Sequence, residues 1–349
     1  MSTALWPDAI GRLLRREELP ADVVEQAMTS ILSGEATDAQ IAGFAVALRA
    51  KGETAGELAA LVRTMLRFAE RVDLSGVDGT VIDTCGTGGD RAGTVNVSTM
   101  AAFVAAAAGA RVAKHGGRAA SSQCGSADVL EALGVVIDLG PVGVARSVRE
   151  AGIGFCFAPR FHAGLRFAAP ARRELGTPTT FNFVAPIANP AGVKRQIVGV
   201  SDPAMAERLV AMLAELGTER ALVFYGHDGL DELTVTTSST VHELRDGTIT
   251  VYDVEPTSVG LPHAERSALA GGDAAGNAEI VHKVLAGASG PIRDIVALNA
   301  AAALLVADLV DDLRGGVELA GEILGDGRAA ATLDSLVRVT VAARESGDA

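Results

Sequence analysis

Three glycines follow a predicted buried strand, Thr80–Thr84. The segment Asp83–Asp90 reads Asp-Thr-Cys-Gly-Thr-Gly-Gly-Asp. Glycine lets a backbone turn sharply and approach a ligand closely, so its N–H groups can point at phosphate oxygens. The segment matches neither a Walker motif nor the dinucleotide-binding fingerprint. It predicts either a tight surface turn or a phosphate-binding loop, in which Asp90 would orient a hydroxyl or a hydrated metal ion.

The next polar segment, Asn96-Val-Ser-Thr99, stands directly before an Ala-rich helical pattern. Ser and Thr are common helix caps, so capping alone explains their presence. The N-terminus of a helix also presents unpaired N–H groups and a partial positive charge. The segment therefore suits a pyrophosphate as well as a cap.

A third segment, Lys114–Ser122, carries Lys114, His115 and Arg118 among glycines and serines, and Cys124–Asp128 continues it. It starts at the end of a predicted strand, where ligands bind in open α/β sheets. Lys and Arg side chains on a surface loop usually face solvent and bind no ligand, and a lone histidine is more often structural than catalytic. The concentration of cations and hydroxyls in one loop favours an anion site.

The acidic neighbours Asp231 and Glu232 lie in Gly226–Glu232, after another predicted strand. On a loop, both carboxylates can face one hydrated cation, and hard oxygen ligands with retained water suit Mg²⁺. The alternative is an Asp-Gly turn with a solvated acidic pair. No nucleophile with an adjacent base is evident, and His115, His162 and His227 lack zinc-ligand spacing.

These segments belong to an alternation of strand and helix patterns, which predicts a largely parallel sheet covered by helices. Two further runs, joined across Asp246-Gly247, predict a hairpin. The predicted strands are Thr80–Thr84, Arg111–Lys114, Val135–Asp138, Ile153–Phe157, Gln196–Gly199, Ala221–Tyr225, Thr240–Leu244 and Thr248–Tyr252. The predicted helices of this region are Met100–Ala108, Ala127–Leu133, Val142–Ala151 and Pro203–Leu216, and the chain is helical again from about Ala275.

A length of 349 residues favours two domains. Residues 1–72 show apolar positions at helical spacing, which predicts a small all-helical domain. Residues 73–349 then form the larger α/β domain, and helices at about 164–190 are expected to join the helical one.

The formal charge of −13 argues against nucleic acid or an anionic membrane as a partner. Three scattered cysteines indicate neither a disulfide framework nor a structural zinc site, and they fit a reducing cytoplasm. The N-terminal sequence lacks the apolar stretch of a secretory signal, and the apolar windows are shorter than the roughly 18 residues of a membrane span. We therefore expect a cytoplasmic protein.

Taken together, the motifs resemble those of the anthranilate phosphoribosyltransferases of tryptophan biosynthesis, whose fold is shared with pyrimidine nucleoside phosphorylases. The similarity extends over nearly the whole chain. It rests on Gly86–Asp90, Asn96–Thr99, Lys114–Gly116, Gly125–Asp128, Phe157–His162, Arg172–Gly176, Phe181–Asn182, Asn189–Pro190 and Gly229–Glu232.

The resemblance implies a homodimer formed through a helical domain, hinges to an α/β domain, and transfer of phosphoribose from phosphoribosyl pyrophosphate (PRPP) to anthranilate. It implies two Mg²⁺ ions, held by Ser98, Asp231 and Glu232, and catalytic roles for Lys114 and Arg118. Acceptor binding is implied for Gly86, Gly117, His162 and Arg172. PRPP binding is implied for Gly86, Gly89, Asp90, Thr94, Asn96, Val97, Ser98, Thr99, Lys114, His115, Gly116, Gly117, Arg118, Ala119, Ala120, Ser121, Ser122 and Cys124.

The chain departs from the family pattern on the acceptor side of the implied site. Gly117 stands where the family usually has Asn, Ala163 where it has Pro, and Ala185 where it has Gly. One alternative is therefore a related phosphoribosyltransferase that uses another aromatic acceptor. A nucleoside phosphorylase and a non-catalytic binding protein of the same fold are two further alternatives.

Overall fold

The computed structural model describes residues 5–90, 92–119 and 123–348. The N-terminal region is helical, as its apolar spacing predicts. Thr37 with Gln40 and Thr54 with Glu57 form capping boxes that start its third and fourth helices. The four helices are α1 (Leu5–Leu14), α2 (Ala21–Leu32), α3 (Asp38–Lys51) and α4 (Ala55–Phe68).

The larger part is built on a seven-stranded sheet of order β3-β2-β1-β4-β5-β6-β7. Its first five strands are mutually parallel, whereas β6 and β7 add an antiparallel hairpin. Asp246 and Gly247 both have positive φ, as a tight hairpin turn requires. The strands are β1 (Val81–Gly86), β2 (Arg111–Gly116), β3 (Ile153–Phe157), β4 (Arg195–Gly199), β5 (Arg220–Gly226), β6 (Ser239–Arg245) and β7 (Thr248–Val254).

Helices cover both faces of this sheet, which confirms the predicted α/β class. Residues on the two faces of β1 belong to different cores: Ile82 belongs to the cluster that includes residues of α5 and α13, and Cys85 to the cluster that includes residues of α4 and α11. The helices are α5 (Val97–Ala107), α6 (Ser126–Ala132), α7 (Pro141–Ala151), α8 (Ala158–Phe161), α9 (Ala169–Leu175), α10 (Thr180–Val184), α11 (Pro203–Glu215), α12 (Ala274–Leu285), α13 (Pro291–Val306), α14 (Leu313–Gly325) and α15 (Arg328–Glu345). Within the described ranges, no helix has the length and apolar character needed to cross a membrane.

The predicted strand Val135–Asp138 is wrong, since the segment joins no sheet. Its apolar residues are buried, and the backbone N–H of Val136 donates to the hydroxyl of Thr340 on α15 at 3.2 Å. A helix from the far end of the chain thus covers the segment where a neighbouring strand would have to pair. A short apolar run in a sequence indicates that the segment is buried, but it does not indicate which group its backbone hydrogen-bonds with.

The segment from α8 to α10 returns to the N-terminal helices. A 3-10 turn at Ala163–Ala168 contacts α2, α9 contacts α3, and α10 contacts α3 and α4. The assignment of residues near 164–190 to the helical domain, and the domain boundaries, stay predictions.

Candidate active site at the carboxyl ends of the parallel strands

The glycine loop leaves the sheet at the carboxyl end of β1. Gly88 and Gly89 have φ of +64° and +89°, a conformation that favours glycine. The N–H of Thr87 donates to the carbonyl of Gly199 at 2.8 Å, and the N–H of Gly88 donates to Asp231 Oδ2 at 2.7 Å. The loop is therefore anchored to β4 and to the predicted metal-binding segment.

Two glycines make room for that acidic segment. A Cβ on Gly86 would lie 2.7 Å from Asp231 Oδ2, and a Cβ on Gly199 would overlap the carbonyl oxygen of Asp231. Gly86 and Gly199 are register neighbours on β1 and β4. Our sequence analysis missed Gly199 as a site residue, although a glycine ending a predicted strand beside a ligand loop was an available signal.

Three carboxyl groups, those of Asp90, Asp231 and Glu232, come together beside the glycine loop. Burial, and then the charge of Asp90, raise the pKa of Asp231 to about 7. Burial, and then Asp231, raise the pKa of Glu232 well above its usual value, although Lys114 opposes this rise. Asp90 Oδ2 is buried without a hydrogen-bond partner. The cluster therefore carries more potential negative charge than its surroundings compensate.

This cluster can accommodate a hard cation. Among the described residues, no three His, Cys, Asp or Glu side chains are arranged as a complete metal site. Mg²⁺, however, is commonly held by one or two carboxylates while substrate phosphates and water complete its shell. Asp231 and Glu232 fit this incomplete coordination, and the orphaned oxygen of Asp90 adds a further acceptor for metal-bound water.

Lys114 is the buried cation of the same region. Its Nζ donates to the carbonyl oxygen of Thr84 and, at 3.3 Å, to Ser98 Oγ, while only 3% of the residue is exposed. Burial lowers the pKa of Lys114, and Asp83 opposes this shift. A hydrogen bond from the backbone N–H of Ser98 favours the ionised form of Glu232 and so opposes the rise in its pKa. Lys114, Ser98 and the acidic pair thus share the N-terminal end of α5.

Asn96 precedes α5 and forms no side-chain capping hydrogen bond, whereas Ser98 and Thr99, the residue types expected to cap, lie inside its first turn, so the capping interpretation is wrong. The Asn96 amide instead donates to the carbonyl of Cys124 at 3.1 Å and accepts from Asn277 Nδ2 at 2.9 Å. Asn277 is buried on α12, and our sequence analysis missed it because no local motif marks it. Thr94 forms an isolated bridge with Ala270, so the C-terminal half of the chain lies against this loop.

Two neighbours of Ser98, Val97 and Thr99, are buried, and the hydroxyl of Thr99 has no hydrogen-bond partner.

A carboxylate on α6 anchors the loop that follows β2. Asp128 Oδ2 accepts the N–H groups of Ala119 and Gly125, both at 2.9 Å. Ala120, Ser121 and Ser122, which were predicted to bind the donor, lie outside the described residues.

Arg118 points its guanidinium at α6. It donates to Asp128 and Glu131, both at 2.9 Å, and lies 5.7 Å from the centre of the Phe157 ring. These carboxylates raise the pKa of Arg118 above its usual value. In this conformation the guanidinium is engaged by two carboxylates, while about half of the side chain (49%) stays exposed.

His115 and His162 form a second cluster, with ring centres 5.2 Å apart. The Nδ1–H of His115 donates to the carbonyl of Pro186 at 2.9 Å, and the Nε2–H of His162 donates to that of Ala188 at 2.7 Å. Burial lowers both pKa values, that of His115 to about 3, so the rings are neutral at pH 7. Nε2 of His115 is buried without a partner.

Arg172 on α9 is a half-buried cation without a carboxylate. Its guanidinium carbon lies 5.9 Å from the centre of the Phe181 ring, and burial lowers its pKa. Within the described ranges, no ion pair or hydrogen bond engages it. A buried charge without an ionic partner is costly, so Arg172 could gain stabilisation from an anionic group.

The structure thus brings Gly86, Gly89, Asp90, Ser98, Lys114, Asp231 and Glu232 into one region. Gly116 and Gly117 continue from β2 past this region, towards Ser126 and Ala158. The ligand-binding roles of all these residues stay predictions.

Two protein-family models match the chain, one in each of its two parts. The model described as "Glycosyl transferase family, helical bundle domain" matches residues 7–69, and "Glycosyl transferase family, a/b domain" matches residues 78–330. An anthranilate phosphoribosyltransferase of Acidothermus cellulolyticus is 53% identical over 98% of this chain and 97% of its own length.

Solved structures agree with this relationship. Anthranilate phosphoribosyltransferase from Thermus thermophilus is 40% identical, with a TM-score of 0.89 over 96% of this chain and 99% of that one. The enzyme from Saccharomyces cerevisiae, solved in complex with PRPP and Mg, is 27% identical, with a TM-score of 0.87 over 98% and 99% of the two chains. The chain belongs to the anthranilate phosphoribosyltransferase family.

Proposed function

We propose that this protein transfers the phosphoribosyl group of PRPP to the amine of anthranilate and releases pyrophosphate, a step of tryptophan biosynthesis. The observation that carries this proposal is the grouping of a glycine loop, a buried lysine and an acidic pair at the carboxyl ends of β1, β2 and β5. The reaction itself is inferred from the family to which the chain belongs.

The donor's phosphates are assigned to the glycine loop and the start of α5. Free N–H groups at a helix N-terminus attract phosphate oxygens, and Lys114 and Ser98 are adjacent. A charged hydrogen bond from Lys114 would stabilise the negative charge that develops on the departing pyrophosphate. Lys114 is already buried and held by Thr84, so little reorganisation is required.

Magnesium is assigned to the acidic cluster, with Asp231, Glu232 and Ser98 as the residues that would hold two ions. When bound, the metal would neutralise phosphate charge. The raised pKa values of Asp231 and Glu232 support this assignment, because a nearby cation would favour their ionised forms.

The acceptor is assigned to the side of the site that contains Gly117, His162 and Arg172. Arg172 would pair with the carboxylate of anthranilate, since a guanidinium can donate two parallel hydrogen bonds. An aromatic amine is already neutral at pH 7, so its attack on the ribose needs positioning more than a strong base. Neutral His115 and His162 add no competing charge to this region.

The assembly is proposed to be a cytoplasmic homodimer formed through the helical domain, comprising residues 1–72 and about 164–190. The exposed apolar side chains of Leu14 and Val46, which are 73% and 45% exposed, support an interface on the N-terminal helices. Cys85 and Cys156 are buried thiols, which suits a reducing compartment.

The proposal is tested by incubating the purified protein with PRPP, Mg²⁺ and one acceptor at a time, while pyrophosphate and the phosphoribosylated amine are quantified. We expect turnover with anthranilate that stops when Mg²⁺ is chelated. Turnover only with another aromatic amine would instead identify a related transferase. Phosphorolysis of a nucleoside would identify a phosphorylase, and binding without any turnover would identify a non-catalytic protein.

A further inference from the structure

Asn299 is a buried amide in an otherwise apolar stretch of helix. It lies in the middle of α13, and every other residue from Ile295 to Val306 is Ala, Val, Leu or Ile. Asn299 has no exposed surface. Burying an amide among apolar groups is costly unless its polar atoms are hydrogen-bonded, and Asn is a poor helix former. The contacts of Asn299 show what compensates for this cost.

The amide of Asn299 bonds to both backbone groups of Leu233. Its Oδ1 accepts the N–H of Leu233 at 3.0 Å, and its Nδ2 donates to the carbonyl of Leu233 at 2.8 Å. Nδ2 also donates to the carbonyl of Ile295, one turn earlier on α13, at 2.9 Å. Both N–H groups and the oxygen of the amide are therefore used. The two bonds to Leu233 form a clasp between α13 and the loop after β5.

The clasp fixes the backbone on one side of the acidic pair, since Leu233 directly follows Glu232. On the other side, the carbonyl of Leu230 accepts the N–H of Gly226 at 2.9 Å. The side chains of Leu230 and Leu233 are both buried in the core cluster that includes residues of α13. Asp231 and Glu232 thus lie between two anchored leucines.

The acidic pair needs such anchors because its own charges favour its release. Two neighbouring carboxylates repel each other when they are ionised, and burial removes the water that would solvate them. A segment without fixed ends can relieve both costs by turning outward into solvent. The structure instead holds Asp231 against Gly86 and Gly199, close to the region assigned to the donor's phosphates.

We propose that Asn299 is a positioning residue of the magnesium site, which holds Asp231 and Glu232 in place through the backbone of Leu233. The inference rests on the proposed assignment of this acidic pair to magnesium. Asn299 acts from 66 residues further along the chain. Replacing residues that orient metal ligands without touching the metal typically weakens metal binding about 10- to 100-fold.

The variants Asn299→Leu and Asn299→Ser remove the clasp in two different ways. Leu has a similar size and no polar atom. Ser is too short to replace the amide, and its hydroxyl can bond within the helix to the carbonyl of Ile295, which leaves no unpaired side-chain group. Leu304→Ala, which opens a cavity elsewhere in the same buried helix, is the matched control for lost stability. Melting temperatures show that each variant is folded.

The probe is Mn²⁺, a paramagnetic substitute for Mg²⁺, whose binding is measured by electron paramagnetic resonance with PRPP present. Binding by PRPP alone is subtracted. We expect both Asn299 variants to bind Mn²⁺ roughly tenfold or more weakly than the parent protein, and Leu304→Ala to bind it like the parent. In kinetics, raising Mg²⁺ should restore the rates of the Asn299 variants, while their KM for anthranilate stays unchanged.

Parental Mn²⁺ affinity in both folded Asn299 variants would overturn the inference, and so would an equal loss of affinity in Leu304→Ala. Asp231→Asn is titrated alongside to test the metal assignment itself. If Asp231→Asn also keeps parental affinity, the acidic pair does not hold the ion, and the inference falls with the assignment. If Mn²⁺ binding depends on Asn299 but the parent transfers no phosphoribose to anthranilate, the proposed reaction is contradicted and the inference stands.

Discussion

Replacing Gly117 with Asn restores the side chain that the family pattern usually has at this position, and the structure has room for it. The φ of Gly117 lies outside the left-handed region, so an L side chain adds no backbone strain. Among the described residues, a Cβ built there meets nothing closer than the Cβ of Ala158, at 4.0 Å. Gly117→Asn is therefore expected to fold.

The expected gain follows from one added hydrogen bond between the Asn amide and the acceptor. A neutral hydrogen bond contributes about 0.5–1.5 kcal/mol net, which corresponds to a roughly two- to tenfold change in affinity. We expect Gly117→Asn to lower the KM for anthranilate within that range. The KM for PRPP should change little, because the donor's phosphates are assigned to other side chains.

Steady-state kinetics with each substrate varied in turn measure this effect. Gly117→Ala is the matched control, since it adds the Cβ without the amide and should leave the KM for anthranilate unchanged. Gly116→Ala provides a contrast, because its Cβ would overlap Ser126 Oγ and press on Phe155. An unchanged or raised KM for anthranilate in a folded Gly117→Asn protein would refute the assignment of Gly117 to the acceptor side.

Three further predictions concern buried charge. Asp231→Asn should lower kcat/KM strongly at limiting Mg²⁺ while keeping the bond from the Gly88 N–H; parental rates across a Mg²⁺ titration would contradict the metal assignment. Arg172→Ala should raise the KM for anthranilate far more than that for aniline, and equal losses would remove Arg172 from carboxylate recognition. Burial raises the pKa of Asp83 from 3.8 to about 6, so the folded state holds a proton that the unfolded chain has released. Between these pH values the free energy of unfolding therefore falls as pH rises. Asp83→Asn should flatten this slope in urea denaturation, and an identical slope in the variant would show that Asp83 does not cause it.

Local patterns predicted the elements whose partners are nearby in sequence. The apolar spacing of residues 1–72 indicated an all-helical region, which the structure divides into α1 to α4, and Asp246-Gly247 indicated the β6–β7 hairpin. In both cases the determining interactions lie within one element or across one turn. Val135–Asp138 failed because Thr340, some two hundred residues later, decides what covers it.

Asn96 shows the same limit within the site. It opens a segment whose Ser and Thr, standing before an Ala-rich helix, favoured capping. Its amide instead bonds to Asn277 and Cys124, which are far from it in sequence. Arg118 was likewise predicted to be one of the cations of an anion site, whereas in the structure its guanidinium donates to Asp128 and Glu131.

The sequence by itself determined which chemical groups lie in or after which strands: the glycines after β1, Lys114 in the second half of β2 and the acidic pair after β5. Only the tertiary structure decided that they meet. The strand order places β4 between β1 and β5, and Gly199 at its end leaves the space that Asp231 fills. That space depends on atoms from three strands that are distant in sequence, so no local pattern encodes it.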